Sequence, residues 1–380
     1  MRKKLIALSI ASLTSATAFA QSNVTIYGLV DFGYAYRFDG KNAGSSTPGV
    51  NTGTPNSSSQ LNSGQSAGNR IGFKGTEDLG NGLKAVFLLE QGYLLDTGLA
   101  ATSNSAFTRQ AYMGLSGNFG TVIGGRLYTP HYNFVKSFDP FDAGTVGRYN
   151  NVYSNFPSLT NVGSLGDPTR VDNAVSYISP SFSGFSATAL YSNNASQQEA
   201  AASNSANNTF YAVLGQYKSG PISAGINYHY IAAGTAVSSW DNVQNATIAG
   251  SYDFNVVKVA ALYSWNELDY QASGTSNATI NNYLLGVTAP FGKWAAKASY
   301  QYSDGNRAAG GDAQQFAIGL DYNLSKRTSF YSAYSFINND DQRLQAVGDA
   351  SNKGDYAAGN GYSLGGVFQQ GIQLGLKHTF

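Results

Sequence analysis

The sequence predicts an all-β protein: a transmembrane, 16-stranded, antiparallel up-and-down β-barrel with an inward-folded third loop. Three observations carry this expectation. Charged residues are 12% of the chain, about half the share in a soluble domain. No apolar run after residue 20 reaches the ~18 residues of a spanning helix, and mean hydropathy is −0.22. Short segments instead alternate apolar and polar side chains at period two, with turn residues between them. A membrane barrel reconciles all three, because every second side chain meets lipid and the others a wet lumen, so the average hides the pattern.

The chain opens with MRKKLIALSIASLTSATAFA. A basic start, an apolar stretch and small residues at Ala18 and Ala20 form an export leader over residues 1–20, leaving 21–380 as the barrel. Without Arg2, Lys3 and Lys4 the remainder has 20 basic and 22 acidic residues, so no basic excess points to nucleic acid. The chain has no cysteine, which rules out disulfides and thiolate metal sites.

Taken in order, VTIYGLVDFGYAY is the first strand, with Val24, Ile26, Val30 and Phe32 on one face and Thr25 and Asp31 on the other. A Gly, Ser, Thr and Asn rich stretch from Asp39 to Gly68 reads as a long exposed loop. RIGFKGTE and GLKAVFLLEQGY follow, turning at Gly80 and Asn81; RQAYMGLS and TVIGGRLY turn at Gly117 and Asn118. The pairs RVDNAVSYIS with FSATALYSN, TFYAVLGQYK with ISAGINYHYI, and QNATIAGSY with VVKVAALYSW come next. TINNYLLGVTA with KWAAKASYQY, AQQFAIGLDY with RTSFYSAYSF, and the closing FQQGIQLGLKHTF complete sixteen strands. Seven short turns alternate with eight longer loops, the pattern of a barrel with one short-turn rim and one long-loop rim. A solenoid would need a fixed-period self-similarity that is missing.

Sixteen strands enclose an aqueous channel unless something enters it. The third long loop, about residues 129–169, is the candidate. A structureless connection of that length is uncommon in a compact domain, and its Tyr132, Phe134, Phe138, Phe141, Tyr149, Tyr153 and Phe156 argue against disorder. These aromatics have a place to pack along the inner wall.

Strand parity then assigns the charges, since a charge on the lipid face costs about 2 to 4 kcal/mol at the midplane. Ile71, Phe73, Tyr112, Val171, Val175 and Tyr177 are placed outward. Arg70, Lys74, Arg109, Arg170 and Asp172 are therefore placed inward, together with Asp31, Glu90 and Arg126. Arg70, Arg109 and Arg170 lie near the strand ends flanking the third loop, which supplies Asp139 and Asp142. A basic wall would then face an acidic loop across a narrowed opening.

The stretches NRIGFKGTEDLGNGLKAVFLLE, TRQAYMGLSGNFGTVIGGRLYTP, RVDNAVSYISPSFSGFSA and the terminal GLKHTF resemble general diffusion porins of the Gram-negative outer membrane, most of all the trimeric beta-proteobacterial type. The resemblance spans the chain after residue 20. It implies a homotrimer in the outer membrane, in contact with lipid and lipopolysaccharide. It further implies an arginine cluster at the constriction, carried onto Arg70, Arg109 and Arg170, and recognition of Phe380 by the barrel-insertion machinery.

The expectation is a passive pore for ions and small hydrophilic solutes, with no cofactor and no reaction catalysed. A substrate-selective channel would call for an ordered ladder of aromatics or arginines, and an adhesin or receptor would act through exposed loops. A barrel enzyme would need a Ser/His/Asp set, but His131, His229 and His378 are scattered in sequence without suitable neighbours, which also argues against zinc. The glycines from Gly117 to Gly125 cross a hairpin and open no helix, so they are no dinucleotide fingerprint. Ion preference stays open, because basic and acidic groups compete in the lumen.

Overall fold

Strand β1 (Asn23–Asp39) sets the pattern of the molecule. Val24 and Ile26 are 55% and 61% exposed on its outer face, while Asp31 and Ala35 on the other are fully buried. The computed structural model describes residues 23–39, 57–102, 105–153, 168–195, 207–233, 240–271, 276–306, 311–340, 345, 347–348 and 368–380. The expected leader and Phe156 lie outside them.

The hairpins follow the alternation. They are β3 (Arg70–Gly80) with β4 (Leu83–Gly92), β5 (Gln110–Gly117) with β6 (Gly120–Tyr128), and β7 (Arg170–Ile178) with β8 (Phe185–Ser192). β9 (Thr209–Ser219) pairs with β10 (Ile222–Ala232), and β11 (Trp240–Asp253) with β12 (Lys258–Tyr270). β13 (Ala278–Phe291) pairs with β14 (Trp294–Gly305), and β15 (Ala313–Asn323) with β16 (Thr328–Asn339). β17 (Gln369–Thr379) pairs with β16 and with β1, closing the ring. At the seam Gly28 N donates to Phe380 O at 3.0 Å and Phe380 N returns a bond to Gly28 O at 3.1 Å.

One element departs from the expected layout. The first half of β1 pairs with β3, but its second half, Phe32 to Phe38, pairs with an additional strand β2 (Ser57–Ser63). β2 and β3 occupy one position in the wall, so the seventeen described strands fill sixteen positions. β2 lies inside the stretch read as an exposed loop, and in the break after it Gln65 is fully buried and Asn69 nearly so. Asp31 explains why. Its Oδ2 accepts from Ser66 N at 2.7 Å and Ala67 N at 2.6 Å, while Gln65 Nε2 donates to Gly33 O at 3.0 Å. Amides that water would serve in a loop are served here by a wall carboxylate.

The outward set is apolar almost throughout, with Met113, Val213, Ile248, Leu285, Phe316 and Leu374 exposed. Two outward assignments are corrected. Met113 and Leu115 are exposed, whereas Tyr112 shares the parity of Glu90 through the Gly72–Glu90–Gln110 row. Val171 is fully buried against Leu127, Leu190 and Phe210. A register shift between Gly125 and Leu127, with Asn173 at φ 49°, inserts an extra residue there and turns the strand.

The third loop is not structureless. Thr129 caps helix α1 (Pro130–Lys136): its Oγ1 accepts from Tyr132 N at 3.1 Å, and Pro130 suits the first turn. Phe134, Val135, Phe138, Ala143, Tyr149 and Tyr153 cluster with Leu214, Ala249, Ala260, Leu262 and Leu284. Phe141, Val146 and Val152 form a second cluster with Ala313, Ala317, Ala333 and Ile337. These wall residues alternate with the outward set. Polar pins hold the loop there: Val146 N to Gln373 Oε1 at 2.9 Å, Asn151 Nδ2 to Gln315 Oε1 at 2.8 Å and Tyr153 Oη to Ser264 Oγ at 2.6 Å.

Candidate functional site

The β3, β5, β6 and β7 ends and the third loop converge on a pocket of about 240 Å³. Arg70, Arg109, Arg126 and Arg170 line it from the wall, and Lys136 and Arg148 from the loop. Among the described residues its acidic lining is Asp142 alone. The three arginines singled out in the sequence are therefore brought together, with three further cations.

Arg109 sits just ahead of β5, outside the strict alternation of the strand. Its Nε donates to Glu90 Oε1 at 2.6 Å, and Glu90 Oε2 also accepts from Tyr27 Oη at 2.9 Å. The Glu90 side chain is only 3% exposed, so its charge is bound up in this pair. Arg109 Nη2 and Arg170 Nη2 both donate to Tyr128 Oη, at 2.5 and 2.8 Å. Arg126 is ion-paired with Asp172 and donates from Nε to Thr108 O at 3.0 Å. Arg148 Nε donates to Asn151 Oδ1 at 2.8 Å, fixing it on the loop.

The other expected charges serve different ends. Asp142 faces the pocket, 3.5 Å from Lys136 and two-thirds exposed. Asp139 does not face the arginines. It is buried inside the loop, where Oδ1 accepts from Phe141 N and Oδ2 from Ala143 N and Tyr149 N, each at 3.0 Å. The reason lies in the backbone: Asp142 and Ala143 take φ of 55° in a tight bend that aims these amides at one carboxylate. Burial pushes the Asp139 carboxyl up to about 6 despite those bonds. Asp31 anchors residues 66 and 67, as described above, and Lys74 lies apart, 5.3 Å over the Tyr27 ring.

Sequence reasoning missed Tyr128, Lys136 and Arg148. Tyr128 ends a strand, where aromatics pass as interfacial girdle residues, and the two loop cations had no parity to place them. It also kept the histidines apart, yet His131 and His229 meet edge to face at 4.9 Å.

With this geometry in place, comparison with known proteins is decisive. The sequence profile of the Gram-negative porin family matches residues 7–342. The chain belongs to the Gram-negative porins. This porin is 34% identical to Outer membrane porin protein 32 of Delftia acidovorans, over the full length of both chains. It is 31% identical to an outer membrane porin protein of Bordetella pertussis, covering 92% of this chain and 98% of the other. Among solved structures it is similar to an anion-selective porin from Comamonas acidovorans, with 29% identity, a TM-score of 0.76 and coverage of 95% of this chain and all of the other.

The porin is thus an outer-membrane channel of the beta-proteobacterial type, and a closed barrel of sixteen strand positions is wide enough for passive diffusion of small hydrophilic solutes. Its family is one of channels rather than enzymes.

Proposed function

We propose that this porin prefers anions, and that its constriction is the gap between the wall arginines Arg70, Arg109, Arg126 and Arg170 and the third loop carrying Lys136, Asp142 and Arg148. The observation that carries the reading is the charge balance around the pocket. Six cations line it, against Asp142 as the lining acid and two more carboxylates, Glu90 and Asp172, already paired to Arg109 and Arg126. The surplus is positive at the proposed constriction. In a confined, low-dielectric opening this potential concentrates anions and excludes cations far beyond what a near-neutral whole chain suggests. The anion-selective neighbour supports the same sign.

The loop packing supports the constriction, since residues 129–153 occupy the inner face and remove cross-section from a lumen that sixteen strands would leave open. The homotrimer, contact with lipid and lipopolysaccharide, the 1–20 leader and recognition of Phe380 by the insertion machinery complete the proposal. The test is a zero-current potential across a planar bilayer in a tenfold KCl gradient, with the purified channel. The anion-directed sign is the result expected, and Arg70→Gln with Arg170→Gln should move it toward cations. A cation-directed potential in the unaltered channel would overturn the reading.

A further inference from the structure

We infer that Tyr128 is a specificity-determining positioning residue, whose phenol oxygen couples Arg109 and Arg170 into a single cationic unit; this rests on the anion-preferring constriction proposed above. Two guanidinium groups this close repel one another and, left to themselves, would swing apart toward separate counter-charges. Here both Nη2 atoms end on one oxygen, at 2.5 and 2.8 Å. A phenol oxygen has the lone pairs to take both. The ring contributes as well, for the Arg170 guanidinium carbon stands 4.6 Å and that of Arg109 6.0 Å from its centroid.

The two arginines are not equivalent without Tyr128. Arg109 has a carboxylate partner in Glu90, whereas the hydrogen bond of Arg170 to Tyr128 is its polar contact among the described residues, and its Nε is buried without a partner. Arg170, like Arg70, makes no ion pair with a carboxylate among the described residues, and Tyr128 is what fixes its position. The tyrosine is itself held from two sides. In the sheet it stands opposite Arg170 in the β6–β7 register. From the loop, Tyr132 stacks on it at 5.3 Å and 16°, on a helix whose N-terminus Thr129 ties down. The third loop thereby sets the position of the wall charges through an aromatic pair, as well as narrowing the gap.

The experiment compares Tyr128→Phe, which keeps the ring and loses the acceptor, with Tyr128→Gln, which restores an acceptor oxygen, and with Arg170→Gln. Single-channel conductance and resistance to heat in detergent report whether each variant assembles. Tyr128→Phe should lower the anion-to-cation permeability ratio by about three- to tenfold, the scale of one lost charge-assisted hydrogen bond spread over the whole constriction. Tyr128→Gln should recover part of that loss, and Tyr128→Phe should add nothing further in an Arg170→Gln background. If Arg170→Gln shifts the ratio while Tyr128→Phe and Tyr128→Gln leave it unaltered, the role of Tyr128 is overturned and the arginine constriction stands. If Arg170→Gln also has no effect, the constriction reading itself is overturned.

Discussion

The amide nitrogen of Thr145 donates to the carbonyl oxygen of Gln65 at 2.8 Å, joining the bend of the third loop to the break between β2 and β3. The two backbones touch there: a Cβ on Gly144 would lie 1.8 Å from the carbonyl oxygen of Ser66. Since Asp31 holds Ser66 and Ala67 to the wall, the loop is the part that must yield. Gly144→Ala should cost about 1 to 3 kcal/mol of overpacking and lift the bend away from segment 64–69. Single-channel conductance should rise, and protease should cut the loop faster. A variant with unaltered conductance would show that this contact does not hold the loop in place.

Glu90 compensates Arg109 from a position that is almost fully enclosed. Glu90→Gln keeps one acceptor oxygen for Arg109, with its NH2 able to donate to the Tyr27 hydroxyl, but deletes the charge, so two consequences of opposite value are expected. The constriction becomes more positive, and the zero-current potential should move further toward the anion limit. The barrel also loses stability, by about 3 kcal/mol, because a buried cation has lost its counter-ion. Thermal unfolding followed by circular dichroism checks the second effect. A shift toward cation preference would contradict the assignment of Glu90 as the local counter-charge.

Alternation made the barrel legible, since exterior and interior demand opposite side chains on each strand and that contrast survives in the sequence. What alternation cannot carry is local irregularity. The bulge near Asn173 buries Val171, and Tyr112 misled because an aromatic beside Arg109 suits either face. Strand β2, SSSQLNS, has no apolar stripe to betray it and joins the wall through its ladder with Phe32 to Phe38, while the amide-binding Asp31 draws in the break that follows. At the site, Arg70 was visible because a charge within an alternating strand has one cheap place to go, whereas Arg109, just ahead of β5, and Arg170, beside the bulge that buries Val171, line the pocket although the parity used to place them was corrected. Tyr128, Arg148 and the meeting of His131 with His229 depend on contacts between elements far apart in sequence, which no periodicity encodes.

Asp139 makes the third loop sensitive to pH. Its carboxyl is raised from 3.8 to about 6 by burial, so the native loop holds a proton that the detached loop releases. The stabilisation is therefore fully present below pH 3.8 and is lost as pH rises through about 6, a difference on the order of 3 kcal/mol. After correction for intrinsic exchange, the Phe141, Ala143 and Tyr149 amides that face this carboxyl should exchange more slowly at pH 5 than at pH 7.5. Asp139→Asn, which cannot titrate, should abolish the difference while exchanging faster at both values, because in either orientation its amide donor faces at least one of the three N–H groups. Protection that grows with pH in the unaltered protein would reverse the sign and refute the argument.

Gly286 forms part of the seat on which the loop rests. A Cβ there would lie 2.6 Å from both Cγ and Cδ of Pro140, and a proline ring cannot rotate out of the way. Phe134 over Gly225 and Phe141 over Gly319 repeat the arrangement, each with a ring carbon 2.8 Å from the missing Cβ. Glycines at these inner positions let the loop lie close to the wall. Gly286→Ala should thus push the loop toward the axis, opposite in sense to Gly144→Ala, and lower the single-channel conductance. Gly215→Ala is the control, because nothing lies within 4 Å of its missing Cβ, and alanine costs less than glycine in a strand. Conductance should fall in the first variant and stay unchanged in the second. Equal conductance in both would mean that the loop does not bear on the wall at Pro140.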